Sequence, residues 1–146
     1  MKRILGIGNA LVDIITLLPD EHILEEFSLP KGSMQMVDSG KSDNVKAATE
    51  NLNRRLASGG SAANTIHGLA MLGTETGFIG SVGTDELGDF FERDMNNAGV
   101  KTSLRRRKSV TGTAVALITP DSERTFATHL GAAVELVEDD LDTRDF

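Results

Sequence analysis

Gly59-Gly60-Ser61-Ala62-Ala63-Asn64 is the stretch on which the reading of this chain turns. Two glycines lead straight into residues 62–72, a compact apolar helix that Gly73 ends. Without Cβ atoms, the backbone at 59 and 60 can approach a ligand closely. The first N–H groups of the helix lack intrahelical partners and point outward. Asn64, one turn in, can donate and accept beside them. Such a site suits hydroxyl groups or an anion. The same residues also read as a plain tight turn with Ser61 as N-cap, and spacing alone leaves both readings open.

The flanking sequence alternates strands and helices. Residues 4–8 are a buried strand running into glycine, and 11–18 a second extended run, apolar except for Asp13 and Thr16. Residues 21–27 suit a short helix and 34–37 a short strand. Residues 42–56 carry Val45, Ala48, Leu52 and Leu56 on one helical side, with Ser42 or Asp43 as cap. After the glycine turn come a strand at 77–82 and a helix at 85–97 capped by Thr84, with Leu87, Phe91 and Met95 inward. Residues 100–107, 113–119 and 124–130 read as strands, the last two joined by the turn Pro120-Asp121-Ser122-Glu123. The alternation predicts an α/β sheet. The strand pair before Ser42 and the strands after Gly99 exceed a simple series, so a second, smaller sheet is expected. The charged tail from Glu138 to Phe146 ends without a clear terminal element, so the chain reads as cut.

Composition narrows the function classes. The 146 residues suffice for one domain with a core, and no run of 18 apolar residues suggests a membrane span. With no cysteine there are no disulfides, thiolate metal sites or cysteine nucleophiles, which fits a cytoplasmic location. A net charge of −7 argues against a general nucleic-acid binder. The run Arg105-Arg106-Arg107-Lys108 reads as a solvated strand edge. His22, His67 and His129 lie far apart, without metal-ligand spacing.

Two further stretches bear on chemistry. Gly6-Ile7-Gly8 opens like a dinucleotide fingerprint, but Leu11 stands where the third glycine belongs and no helix follows. Asp13 interrupts an apolar strand. Strand alternation could turn it to solvent; otherwise it faces a polar cavity, where an ionised carboxylate can accept from two neighbouring hydroxyls.

Taken together, Gly59-Gly60-Ser61-Ala62-Ala63-Asn64, Gly68, Leu72-Gly73, Phe78-Ile79-Gly80-Ser81-Val82-Gly83 and Asp85-Glu86-Leu87-Gly88 resemble the N-terminal signature of the PfkB, or ribokinase-like, carbohydrate and nucleoside kinases. Gly8-Asn9-Ala10-Leu11-Val12-Asp13-Ile14 is similar to that family's opening strand pair, and Thr111-Gly112-Thr113-Ala114, Arg124-Thr125 and Gly131-Ala132-Ala133 to its third block. Gly8-Asn9, Phe27-Ser28-Leu29 and Thr119-Pro120-Asp121-Ser122-Glu123-Arg124 look most like the adenosine-kinase branch.

The resemblance implies the N-terminal portion of a three-layer α/β/α sheet with a small β-sheet lid, whose strands would be 11–18, 34–37 and 100–119. It implies that Asp13 binds ribose hydroxyls, that Gly59, Gly60 and Asn64 hold the same hydroxyls from the other side, and that Asn9 and Leu11 line the pocket. Arg124 would stabilise an anion where the phosphoryl group is transferred. The implied acceptor is a nucleoside, adenosine-like, or a sugar. The implied cofactors are ATP and Mg2+, with none held tightly by these residues. The family's second signature, a glycine-rich turn ending in the general-base aspartate, is not found, so a C-terminal catalytic half is missing and the chain alone is expected to be inactive. The competing expectation is a non-catalytic binding module, with a homodimer through the lid.

Overall fold

In a computed structural model, which describes residues 3–142 and 144, the chain is an α/β protein. The elements run β1 (Ile4–Ile7), β2 (Leu11–Leu17), α1 (His22–Glu26), β3 (Met34–Met36), α2 (Ser39–Ala48), β4 (Arg54–Gly59), α3 (Ser61–Met71), β5 (Thr76–Gly83), α4 (Glu86–Asn97), β6 (Val100–Arg107), β7 (Gly112–Ile118) and β8 (Arg124–His129). Two 3-10 helices follow, Gly131–Glu135 and Glu138–Asp140, the second at the start of the charged tail for which no clear terminal element was expected. Met1, Lys2, Thr143, Asp145 and Phe146 lie outside the described residues, and with them the end of the charged tail. No helix of the described residues is long and apolar enough to cross a membrane.

The chain divides into two compact units. The first holds the described residues up to Val12, then Ser58–Gly112 and those from Leu130 on. Its sheet has the order β1-β5-β6, all parallel, with Ile4 beside Thr76 and Thr76 beside Val100. All eight residues of β5 are buried, as befits a central parallel strand. Helices α3 and α4 bury Ala63, Ile66, Phe91 and Met95 in one core with Phe78 and Val82. The Phe78 and Phe91 rings lie 5.7 Å apart between centroids, tilted by 50°.

The second unit holds Asp13–Ala57 and Thr113–His129. Its strands belong to a mixed five-stranded sheet of order β3-β8-β7-β2-β4. β3 runs parallel to β8, and β8 antiparallel to β7. One face carries Ile14, Val115, Leu117 and Ala127 into a core closed by Leu24, Leu29 and Val45. Alternation leaves the opposite face to Asp13, Ile15 and Leu17 on β2 and to Phe126 on β8, which sits in register with Met34 and Ala116. Leu17, Met34 and Met36 are exposed.

Several expectations need correction. The helix expected at 42–56 is Ser39–Ala48, with Asp38 rather than Ser42 or Asp43 as N-cap, and a strand fills 54–59. Helical spacing of Val45, Ala48, Leu52 and Leu56 is outweighed at the helix end. The Thr49 hydroxyl donates to the Val45 carbonyl at 2.8 Å, and the Arg54 guanidinium donates to that of Lys46 at 2.6 Å, so the last carbonyls are satisfied there. Asp85, not Thr84, caps α4. Residues 100–107, expected in the lid, pair with β5 in the first unit's sheet, because α4 returns the chain parallel to β5 in a βαβ unit. The basic run is not a bare solvated edge. Arg106 pairs with Asp89 at 2.8 Å and with Glu92; Arg105 donates to the Asp140 carbonyl, and Arg107 pairs with Asp140.

Candidate functional site

The two alternatives for the glycine turn meet at Gly60. It is the N-cap residue of α3, with φ +100°, and no side chain caps the helix, so Ser61 does not play that part. A Cβ at Gly60 would lie 2.3 Å from the carbonyl oxygen of Asn9. Glycine is therefore required both by the backbone angle and by the approach of the Asn9 main chain. The Gly60 carbonyl accepts the Asn64 N–H at 2.8 Å, which starts the helix. The Asn64 and Asn9 side chains are exposed, Gly59 is buried and Leu11 is 8% exposed. Just before the turn, the Ser58 N–H donates to an Asp94 carboxylate oxygen at 2.9 Å, which pins the end of β4 to α4. Asn9, Leu11, Gly59, Gly60 and Asn64 all belong to the first unit.

Asp13 and Arg124 belong to the second unit, and the structure brings them together. Both line a cleft of about 210 Å³ on the face of the five-stranded sheet that Asp13 shares with Ile15. Ile15, Ala116, Ile118 and Phe126 form its apolar wall, and Arg55 of β4 is the third charged residue. Sequence reasoning missed Arg55 because it fell inside the helix expected at 42–56; a strand reading of 54–59 would have turned it to the same face as its cross-sheet neighbours. Asp13 is half-buried, and burial pushes its carboxyl above the ordinary 3.8. Among the described residues the Asp13 carboxylate has no hydrogen-bond or ion-pair partner. An ionisable group that is desolvated and unpartnered at a cleft is suited to hydrogen-bond a ligand.

A larger hollow of about 430 Å³ lies beside α1. Of its charged lining residues, Lys31 and Glu21 are already paired at 2.5 Å, with Lys31 also bound to Asp121 at 2.6 Å, which leaves the hollow no cation free for a ligand.

Asp85 organises the turn after β5. Its carboxylate accepts the Gly88 N–H at 2.9 Å, the Thr111 N–H at 2.8 Å and the Thr111 hydroxyl at 2.5 Å. Burial pushes this carboxyl up, but the Thr111 and Gly88 hydrogen bonds outweigh it and hold the group below its ordinary value. A Cβ at Gly88 would lie 2.4 Å from the Gly83 carbonyl, so the glycines here serve close packing. Among the described residues no three His, Cys, Asp or Glu side chains cluster to hold a metal ion.

Comparison with known proteins bears on the whole arrangement. The family model "pfkB family carbohydrate kinase" matches residues 32–145. A 5-dehydro-2-deoxygluconokinase of Geobacillus kaustophilus is 48% identical over 59 residues, covering 38% of this chain and 18% of that protein. The aminoimidazole riboside kinase of Salmonella typhimurium is 36% identical over 87 residues, covering 57% of this chain and 27% of that protein. The crystal structure of adenosine kinase from Sinorhizobium meliloti superposes with a TM-score of 0.83 at 35% identity, covering 96% of this chain and 42% of that one. The chain thus spans less than half the length of that structure, and its matches span about a fifth to a quarter of those two relatives. The α/β fold is the ribokinase-like one of these kinases, and the chain belongs to the pfkB family of carbohydrate kinases.

Proposed function

We propose that this chain supplies the acceptor-binding part of an ATP-dependent kinase that phosphorylates a hydroxymethyl group of a nucleoside or sugar. The observation that carries the reading is the half-buried, unpartnered Asp13 carboxylate at the cleft of the five-stranded sheet. Once ionised, it can accept from two vicinal hydroxyls, the feature that ribosides and sugars share. The names of the relatives point the same way: a sugar-acid kinase, a riboside kinase and an adenosine kinase.

Within this reading Asp13 holds the acceptor's diol, and Arg124 offers positive charge for the phosphoryl end. In the first unit, Gly59, Gly60 and Asn64 offer backbone and amide groups suited to hydroxyls, with Asn9 and Leu11 in the same unit. The adenosine-like branch is the narrower form of the proposal. ATP and Mg2+ belong to the proposed activity; the described residues hold no cluster of three His, Cys, Asp or Glu, and the sequence has no P-loop pattern.

The test is calorimetric titration of the chain with ribose and adenosine, beside its Asp13→Asn variant. Loss of a charged hydrogen bond should weaken binding by about 1–3 kcal/mol. Equal affinity in the two proteins would remove Asp13 from the acceptor site.

A further inference from the structure

The cleft that holds Asp13 contains two more charged groups than a neutral diol requires. Arg124 enters it from β8 and Arg55 from β4, at opposite sides of the β7-β2 pair. Three strand spacings separate them, about 14 Å between backbones, a gap that two arginine side chains can bridge from either side. Arg55 also lines a neighbouring recess of about 330 Å³ that shares Ile15 and Ile118 with the first.

Neither guanidinium has a partner among the described residues. Every other arginine there has one. Arg54 donates to the Lys46 carbonyl, Arg105 to that of Asp140, and Arg106 and Arg107 form ion pairs. Arg144 pairs with Asp142, Arg93 lies 6.0 Å from the centre of the Phe90 ring, and Arg3 is also engaged. The two unengaged arginines thus line one cleft. That cleft carries two positive charges and one negative on a chain whose net charge is −7. No ion pair joins Asp13 to either arginine among the described residues. Two guanidinium forks beside an apolar wall suit an oxyanion, which each can hold through paired N–H donors.

We propose that Arg55 and Arg124 form an oxyanion subsite in this cleft, and that its ligand is a polyhydroxylated molecule bearing a phosphate or carboxylate group. The proposal rests on the acceptor reading of Asp13, which supplies the hydroxyl contacts. The anion has two possible sources with one chemistry. It is either an acidic group the acceptor carries from the start, or the phosphate that transfer places on a neutral acceptor.

The experiment titrates the chain with ribose, ribose 5-phosphate, gluconate and inorganic phosphate by calorimetry. An anionic polyol should bind about tenfold or more tighter than ribose, one decade being the effect of a single good charged contact. Tight gluconate binding identifies an acidic acceptor; preference for ribose 5-phosphate alone identifies a phosphate-specific subsite. Arg55→Ala and Arg124→Ala should each cancel the preference, Arg55→Ala while keeping ribose affinity, and Arg55→Lys should keep part of the preference. Both residues are exposed, so circular dichroism should show unchanged folds. Arg93→Ala, which removes one positive charge from α4, should leave the preference intact. Equal affinity for ribose and both anionic polyols would overturn the subsite while leaving Asp13-dependent ribose binding, and hence the acceptor reading, in place. Inorganic phosphate bound as tightly as ribose 5-phosphate would overturn the proposal too, because a bare anion site reads no polyol. Anion preference without any Asp13 dependence would instead overturn the acceptor reading itself.

Discussion

A carboxylate half-buried beside Ile15, Ile118 and Phe126 is harder to ionise than one in water, and the fold bears that cost whenever no ligand is present. The folded value of Asp13 lies above its ordinary 3.8, so its favourable contribution to stability is fully present below 3.8 and lost as pH rises through the raised value. Asp13→Asn should therefore unfold at a higher temperature than the parent at neutral pH, with the difference shrinking in acid, while binding acceptor more weakly. A variant that loses stability at neutral pH would mean the carboxylate has a structural partner. Gly60 makes the opposite case, a residue fixed by geometry. At φ +100°, with the Asn9 oxygen 2.3 Å from where a Cβ would sit, Gly60→Ala should cost about 1–3 kcal/mol or more in urea denaturation. An unchanged midpoint would show that the turn relaxes freely. Both positions were legible in the sequence, Asp13 as a charge in an apolar run and Gly60 as one of a glycine pair before a helix. The orientation of Asp13 was not, because strand alternation gives two faces and only packing against α2 decides which one is covered.

Among the elements, α4 depends most on a single side chain. Asp85 caps it and also ties it to Thr111, just before β7. Asp85→Ala should cost about 2 kcal/mol or more, combining loss of a cap with loss of charged hydrogen bonds. The carboxyl lies below its ordinary 3.8 in the folded chain, so its contribution is present above 3.8 and lost as pH falls through the lower folded value. Thermal unfolding from neutral pH to about pH 2 should show parent and variant converging at the acid end. A gap independent of pH would assign the effect to packing. Most elements could be read from apolar spacing and glycine punctuation, including β5 and α3. Strand β4 could not, since Leu52 and Leu56 continue the helical stripe of Val45 and Ala48, and local pattern contains no sign that Arg54 will close the helix from outside it. The destination of β6 was equally hidden, because pairing partners are a tertiary choice.

For the whole molecule, the order of blocks along the chain made the family legible, whereas the grouping of Arg55 with Asp13 and Arg124 depended on strand order and could not be read from spacing. In-line phosphoryl transfer needs a placed donor phosphate and charge neutralised on its oxygens, and these 146 residues carry no recognisable phosphate loop. The chain incubated with ATP, magnesium and adenosine or ribose should form no acceptor-dependent ADP. ADP formation abolished by Asp13→Ala would place the full reaction within these residues. Arg54 and Arg55 are neighbours of the same type with different duties, the first closing α2 through the Lys46 carbonyl and the second reaching the cleft. A change at position 54 would free the Lys46 carbonyl at the end of α2, whereas the exposed Arg55 carries no such contact. Two adjacent identical side chains are thus unequal in what they can tolerate: replacing the second alters the cleft and spares the helix, while replacing the first disturbs the helix that the sheet packs against.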